Sequence, residues 1–293
     1  MKNAFGLEIH RIRDLFQDTE VEREIYRGLL SAFGRLGISG TTSEKLAGYC
    51  VEMAKAHSRV FDYERDAHGI LEQEGLLQQI KNKLGERSRL EYEQIKPYAA
   101  EGSILDLGCG DGKVGGMFAE NHKVFLSDIY EDSGIKNTGL EFRLCQQGRA
   151  LPFDSGSFDN TLLLTVLHHS KYPHKTLEET KRVGKPGGRA LIIESVVGLA
   201  RKEVPYSEKT KGFFSLSPEQ QMMVTSFFDH LHNRIIYYEK NPRKKRSVPL
   251  NFNTMSGWKG ILEKIGLRQK EIVHLGFDQP TALEYHLLYV CDL

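Results

Sequence analysis

The chain of 293 residues has few cysteines, almost no net charge and no long apolar run. The cysteines lie apart from one another and form no Cys-x-x-Cys pair, which argues against a disulfide framework and a cysteine-ligated zinc site; they are Cys50, Cys109, Cys145 and Cys291. A membrane-spanning helix needs about 20 consecutive apolar residues, and the sequence contains no such run. Charges interrupt the first ten residues, which does not fit a signal peptide. We therefore expect a soluble, cytoplasmic protein.

The near balance of charge also bears on partners. With 40 basic and 39 acidic residues the formal net charge is +1, so no overall field draws the chain towards nucleic acid or an anionic membrane.

The first 95 residues contain no proline, and their apolar residues recur at helical spacing. We predict three or four helices there, which pack together and offer a surface for a homodimer or a lid. Alternatively, aromatic residues such as Phe61 and Tyr63 line an acceptor pocket.

The most informative stretch runs from residue 103 to residue 112, where a short apolar strand leads into three closely spaced glycines. Glycine is needed where the backbone turns sharply or must come very close to a ligand. The spacing does not match that of the phosphate-binding glycine motifs. Instead, Asp106 precedes the turn and Asp111 lies within it, and carboxylates there would repel a pyrophosphate. They suit a ligand that carries a cationic amino group.

A second short strand, from Val124, ends in another acid, Asp128. An acid at the end of the second strand of an open α/β sheet is placed to hold the hydroxyls of a ribose. The two strands together predict a nucleoside ligand that has a positive end and no phosphate.

Residues 104–112 resemble motif I of the class I (Rossmann-like) S-adenosylmethionine-dependent methyltransferases. The similarity continues through Asp128 and through residues 151–159, 164–169 and 183–189. The resemblance implies an α/β fold, with a doubly wound seven-stranded sheet whose last strand is antiparallel. It also implies S-adenosyl-L-methionine as the cofactor.

On this basis the chain divides into four parts. We expect an N-terminal helical lobe (1–95), a cofactor-binding Rossmann-like core (96–195), a helical cap insert after the fifth strand (196–255) and the C-terminal part of the core (256–293). The insert exceeds what the fold requires, and its Ser217-Pro218-Glu219 run predicts the start of a helix. Residues 240–246 form a basic loop, which is either solvated or a contact for an anionic acceptor, lipid headgroups or RNA phosphate.

The resemblance implies a cofactor-binding set at the carboxyl ends of the first four strands. Its members are Asp106, Gly108, Cys109, Gly110, Gly112, Asp128, Ile129, Gln147, Gly148 and Thr165. Asp128 would accept hydrogen bonds from the ribose hydroxyls, and Gln147 would contact adenine. Asp106 would order the loop and favour the ammonium end of the cofactor.

Candidate catalytic residues follow the fourth and fifth strands. His168 and His169 leave the end of the fourth strand, and Glu194 ends the fifth, so we predict one of them as the base that takes the acceptor's proton. Alternatively, the histidines only cap backbone groups. We predict no metal site, because His174 lies beyond a proline and no nearby acid completes a ligand set. Residues 229–232 do not change this, since positions i and i+2 of a helix point apart.

The predicted function is methyl transfer to a small-molecule acceptor, by O- or C-methylation, and the acceptor is anionic or amphipathic. Three alternatives remain: methylation of a quinone or lipid at a membrane surface, an RNA methyltransferase, and a non-catalytic S-adenosylmethionine-binding protein. Nucleic acid is the less favoured substrate, because the fourth strand is followed by residues 165–169 (Thr-Val-Leu-His-His) and not by an Asn/Asp-Pro-Pro-aromatic box.

Overall fold

The structure, a computed structural model, describes residues 12–204, 211–241, 245, 248–277 and 283–293, without the side chains of residues 81 and 83–85. Predictions that concern residues 1–11, and all of the basic loop except residues 240, 241 and 245, lie outside the described residues.

A seven-stranded sheet forms the centre of the molecule, with strand order β3-β2-β1-β4-β5-β7-β6. Neighbours among the first five strands are parallel, and β7 is antiparallel to both β5 and β6. The α/β fold predicted from the sequence is therefore confirmed. The strands are β1 Ser103–Leu107, β2 Lys123–Asp128, β3 Glu141–Leu144, β4 Phe158–Leu164, β5 Gly184–Val196, β6 Arg268–Gly276 and β7 Tyr285–Asp292.

The central strands are covered on both faces, which explains their nearly continuous apolar sequences. Ile192, Leu191 and Leu288 of β5 and β7 are at most 1% exposed. The connecting helices are α5 Lys113–Phe118, α6 Pro173–Val183 and α9 Met255–Ile265. Between β2 and β3 there is only a 3-10 turn, Ile135–Asn137, which takes the place of a crossover helix.

Four helices follow an initial 3-10 turn, Ile12–Gln17, and form the N-terminal lobe: α1 Thr19–Arg35, α2 Gly40–Ala56, α3 Val60–Gln73 and α4 Leu76–Ile95. Asp18 caps α1 by accepting a hydrogen bond from the Glu20 amide at 2.9 Å. Gly75, with a φ of +69°, separates α3 from α4. Within the described residues, none of the helices combines the length and the apolar character needed to cross a bilayer.

The insert after β5 contains α7 Lys211–Ser215 and α8 Pro218–His230, followed by a π-helical turn, Leu231–Ile236. Ser217 and Gln220 cap α8 reciprocally, as the serine–proline signal predicts. The insert packs directly on the N-terminal lobe: a Cβ at Gly28 of α1 would lie 2.5 Å from Cζ of Phe228. The lobe and the insert therefore share one core, which holds α8 in a fixed position.

A buried ion cluster joins the same two parts. Glu64 of α3 is fully buried, and its Oε1 lies 2.9 Å from Nη2 of Arg234. Its other oxygen accepts a hydrogen bond from Lys245, whose ammonium also lies 4.4 Å from the centre of the Phe61 ring. Burial and these two cations lower the pKa of the adjacent His230 to about 3. Lys245 of the basic loop therefore forms an ion pair with the buried carboxylate of Glu64.

Candidate functional site

The glycine loop between β1 and α5 uses its three glycines differently. All three have left-handed φ values: +77° at Gly108, +55° at Gly110 and +75° at Gly112. A Cβ at Gly108 would lie 2.5 Å from Cγ2 of Val166, and one at Gly112 would lie 2.9 Å from Cδ1 of Leu126. At Gly110 a Cβ would meet nothing within 4 Å. Internal packing therefore requires the outer two glycines, whereas the middle one faces open space.

Asp128, the last residue of β2, fixes the position of this loop. Its Oδ2 accepts a hydrogen bond from the Gly110 amide at 2.9 Å, and its Oδ1 accepts one from the Ile129 amide at 2.6 Å. The side chain is largely buried, while Ile129 is 45% exposed. A negative charge is thus held beside the bare backbone of the loop, at the carboxyl edge of the sheet.

Asp106 lies beneath the same loop and is 2% exposed. Its Oδ2 accepts a hydrogen bond from the Gly115 amide at 3.1 Å, which links β1 to the first turn of α5. Burial raises the pKa of this carboxyl to about 7, and the nearby charge of Asp128 acts in the same direction. Burial also raises the pKa of the Cys109 thiol, so this thiol is not an activated nucleophile.

The loops after β3 and β4 complete this edge. Oε1 of Gln147 accepts a hydrogen bond from the Lys171 amide at 3.1 Å. Gly148, with a φ of +71°, packs against the Tyr172 ring, where a Cβ would lie 2.8 Å from Cδ2. Gln147 and Gly148 are thereby placed next to the segment that follows β4.

Thr165 directly follows β4 and has a φ of +60°, which is rare for a residue other than glycine. Its hydroxyl accepts a hydrogen bond from Nη2 of Arg87 at 3.0 Å. Arg87 belongs to α4 and also pairs with Glu91 at 2.8 Å. The N-terminal lobe therefore contacts the carboxyl edge directly through Arg87, a residue that no sequence motif predicted.

His168 and Glu194 form a buried pair at the ends of β4 and β5. Nδ1 of His168 lies 2.6 Å from Oε2 of Glu194, and Oε1 of the same carboxylate accepts a hydrogen bond from the Leu167 amide at 2.6 Å. Burial opposes protonation of His168, but the carboxylates of Glu194, Asp229 and Glu284 together raise the pKa of the imidazole above its ordinary value. Both residues are at most 1% exposed, so neither side chain faces solvent.

Asp229 of α8 approaches the two histidines from the insert. Its Oδ1 lies 3.5 Å from Nε2 of His169 and 3.9 Å from Nε2 of His168. Asn233 donates a hydrogen bond to the same oxygen at 2.8 Å. Burial raises the pKa of Asp229 to about 7, although the neighbouring His168 acts in the opposite direction. The His169 side chain is 30% exposed, so the cluster is open on that side.

β7 and the residue before it, Glu284, contribute a second polar layer to this cluster together with Ser195 of β5. Ser195 donates a hydrogen bond to Oε2 of Glu284 at 2.8 Å, and Nε2 of His286 lies 3.7 Å from the same oxygen. Both Glu284 and His286 are at most 4% exposed. Buried titratable groups in such number at a strand edge are typical of functional sites.

The structure therefore brings the predicted residues to one edge of the sheet, where adjacent parallel strands end. Contact between Gly108 and Val166 joins the glycine loop to the segment that carries both histidines. Asp229 was not predicted as a partner of these histidines, because it lies about 60 residues further along the chain. The available signal was an acid within the apolar stripe of α8, next to Phe227 and Phe228.

Comparisons with known proteins agree with this geometry. Residues 105–192 match a family model described as a methyltransferase domain. An uncharacterised protein of Methanocaldococcus jannaschii is 35% identical over 106 residues, which cover 35% of this chain and 49% of that protein. The demethylmenaquinone methyltransferase of Clavibacter sepedonicus is 36% identical over 110 residues, which cover 34% of this chain and 43% of that protein. In each case the match spans about half of the relative's length or less.

Among solved structures, a SAM-dependent methyltransferase from Aquifex aeolicus aligns with a TM-score of 0.45 and 21% identity, over 73% of this chain and 97% of that one. The family model and the strand order together confirm the resemblance inferred from the motifs. Residues 105–192 of this chain form a methyltransferase domain, built on a Rossmann-like α/β sheet.

Proposed function

We propose that this protein transfers a methyl group from S-adenosyl-L-methionine to a small-molecule acceptor. The observation that carries the proposal is the glycine loop: the backbone at Gly110 faces open space, and the Asp128 carboxylate is held beside it. A bare backbone next to a buried negative charge fits a cationic nucleoside better than a phosphate ester. The match of residues 105–192 to a methyltransferase domain supports the same cofactor.

In this proposal the cofactor lies along the carboxyl edge. Asp128 accepts hydrogen bonds from the ribose hydroxyls, and Gln147 contacts adenine with its amide. The carboxyl of Asp106 beneath the loop favours the ammonium group of the methionine part. Cys109, Ile129, Gly148 and Thr165 line the remaining surface. The cofactor's sulfonium supplies a good leaving group, so the protein contributes chiefly the in-line placement of the acceptor.

The acceptor's proton is handled by the cluster after β4 and β5. His169 is the member with a ring open to solvent, and it is the one that we place against the acceptor. His168 and Glu194 are buried and act as positioning residues, since their hydrogen bond fixes the segment on which His169 stands. A homodimer formed through the N-terminal lobe also remains a proposal.

The decisive experiment is a search for product with the purified chain. Methyl-labelled S-adenosylmethionine is incubated with a small-molecule extract, and labelled products are detected by mass spectrometry. We expect a labelled product with the native protein and much less with Asp128→Ala at the same cofactor concentration. If calorimetry detects no binding of S-adenosylhomocysteine to the native chain, the proposal is wrong.

A quinone is the second candidate acceptor. It is supported by the 36% identity of residues in the core to a demethylmenaquinone methyltransferase. A demethylated naphthoquinol in detergent micelles is the direct test, and C-methylated product would establish it. Turnover of water-soluble acceptors together with no reaction of the naphthoquinol would exclude this candidate.

A further inference from the structure

We propose that His168, His169 and Asp229 together bind a divalent transition-metal ion. One ligand atom from each of the three residues lies within 4.8 Å of those from the other two. Two imidazoles and one carboxylate form a recurrent donor set for zinc and related metals, and they leave further coordination positions open. The segment that carries the two histidines contains no acid, and the carboxylate ligand is Asp229 of α8 in the insert.

The distances between these atoms fit an ion better than a hydrogen bond. Nε2 of His168 lies 3.9 Å and Nε2 of His169 lies 3.5 Å from Oδ1 of Asp229, whereas a hydrogen bond between such atoms is about 2.7–3.2 Å long. Ligands at roughly 2.0–2.2 Å from a tetrahedral zinc are about 3.4 Å apart. A small inward movement of side chains would therefore close the set around an ion.

The groups around the three ligands also match a metal site. Nδ1 of His168 faces Glu194 at 2.6 Å, and metal-binding histidines generally donate their second ring N–H to a carboxylate in this way. The Phe252 ring stacks on His168 with centroids 5.0 Å apart, which limits rotation of the imidazole. Asn233 orients the Asp229 carboxylate from the same helix.

The charges around the three ligands also favour a bound cation. Oδ2 of Asp229 is buried and has no hydrogen-bond partner in the described part of the chain. Glu194 and Glu284 lie close by, and within the described residues no lysine or arginine forms an ion pair with any of these three acids. A bound cation would neutralise the excess negative charge and give the unpaired oxygen a partner.

The ion would be reached from the side on which His169 is exposed. A donor oxygen of the acceptor could take an open coordination position there, and the ion would lower the pKa of that oxygen. His169 would then hold the ion and would not itself accept the acceptor's proton. This consequence rests on the proposed methyl transfer, whereas the metal site itself does not.

The test is titration of the metal-stripped full chain with Co²⁺, followed by visible absorption spectroscopy, with Zn²⁺ as the competitor. We expect one Co²⁺ per chain, with visible ligand-field bands that Zn²⁺ abolishes. Asp229→Asn and His169→Gln should each weaken binding at least tenfold. His174→Gln, which alters an exposed histidine nearby, should leave binding unchanged. Glu194→Gln should weaken binding about 10- to 100-fold by releasing the orientation of His168.

Circular dichroism establishes that each variant is folded. His169→Gln is the most informative variant, because the side chain of His169 is partly exposed. No stoichiometric Co²⁺ binding, or equal binding in the native chain and in a folded His169→Gln variant, would overturn the proposal. S-adenosylhomocysteine binding is measured on the same samples. Cofactor binding without Co²⁺ binding refutes the metal site alone, and the reverse result refutes the proposed function alone.

Discussion

Replacement of Asp128 by alanine tests the link between the glycine loop and the cofactor. The carboxylate accepts hydrogen bonds from the amides of Gly110 and Ile129 at 2.9 and 2.6 Å. A hydrogen bond to a charged group contributes about 1.5–3 kcal/mol. Loss of one such bond to a ribose hydroxyl should therefore raise the dissociation constant of S-adenosylhomocysteine about 10- to 150-fold.

The same substitution should lower the free energy of unfolding by about 1–3 kcal/mol, because the two amides lose their acceptor. Isothermal titration calorimetry measures the affinity, and urea unfolding measures the stability of the same samples. Asp128→Asn keeps one acceptor oxygen and should fall between the native chain and the alanine variant. Asp154→Ala is the matched control, since that carboxyl is exposed beyond the opposite ends of the strands. An affinity for Asp128→Ala within twofold of the control would refute the assignment of the ribose site.

Three further predictions concern stability and the loop. Glu64→Gln should lower the free energy of unfolding by about 3–5 kcal/mol in urea, because Arg234 and Lys245 lose a fully buried counter-charge. Glu93→Gln, which alters an exposed pair, should change it little. Gly110→Ala should weaken S-adenosylhomocysteine binding in calorimetry more than it lowers stability, whereas Gly108→Ala should chiefly lower stability in urea, because its Cβ would collide with a neighbouring side chain. The folded-state pKa of Asp106, about 7, lies above its ordinary value, so its contribution to stability is complete below about pH 4 and is lost as the pH rises through 7. Relative to Asp106→Asn, the free energy of unfolding of the native chain should fall by at most about 1.4 kcal/mol per pH unit between about pH 4 and pH 7. Urea unfolding at a series of pH values measures this difference.

Each of these predictions has a contrary outcome. Equal stabilities of the Glu64 and Glu93 variants would mean that solvent screens the buried cluster. Unchanged cofactor affinity in Gly110→Ala would place the ligand away from the loop. Parallel pH profiles for the native chain and Asp106→Asn would mean that this carboxyl remains ionised in the fold.

Features that depend on local sequence could be predicted well. The strand before Gly108 and the acid at Asp128 are specified by neighbouring residues, and the structure has both in place. Ser217 and the proline after it likewise predicted the start of α8. In each case the physical cause, a backbone turn or a capping hydrogen bond, acts within a few residues.

Contacts between distant segments could not be predicted in the same way. Arg87 and Asp229 reach the carboxyl edge because α4 and α8 pack on the rest of the molecule, and this packing depends on shape complementarity across the whole core. Burial is also a property of the fold: His168 and His169 are adjacent in sequence, yet the first is 1% exposed and the second has a side chain that is 30% exposed. Sequence alone gave no basis for assigning them different roles.

The position of β7 within the sheet has a consequence for the order of assembly. This strand lies between β5 and β6 and pairs with both, so β6 is synthesised before its neighbour in the sheet. Glu284 and His286 arrive with the same late segment, behind the histidine cluster. During synthesis the glycine loop can therefore form early, whereas the polar cluster can be completed only after nearly all of this chain has been translated.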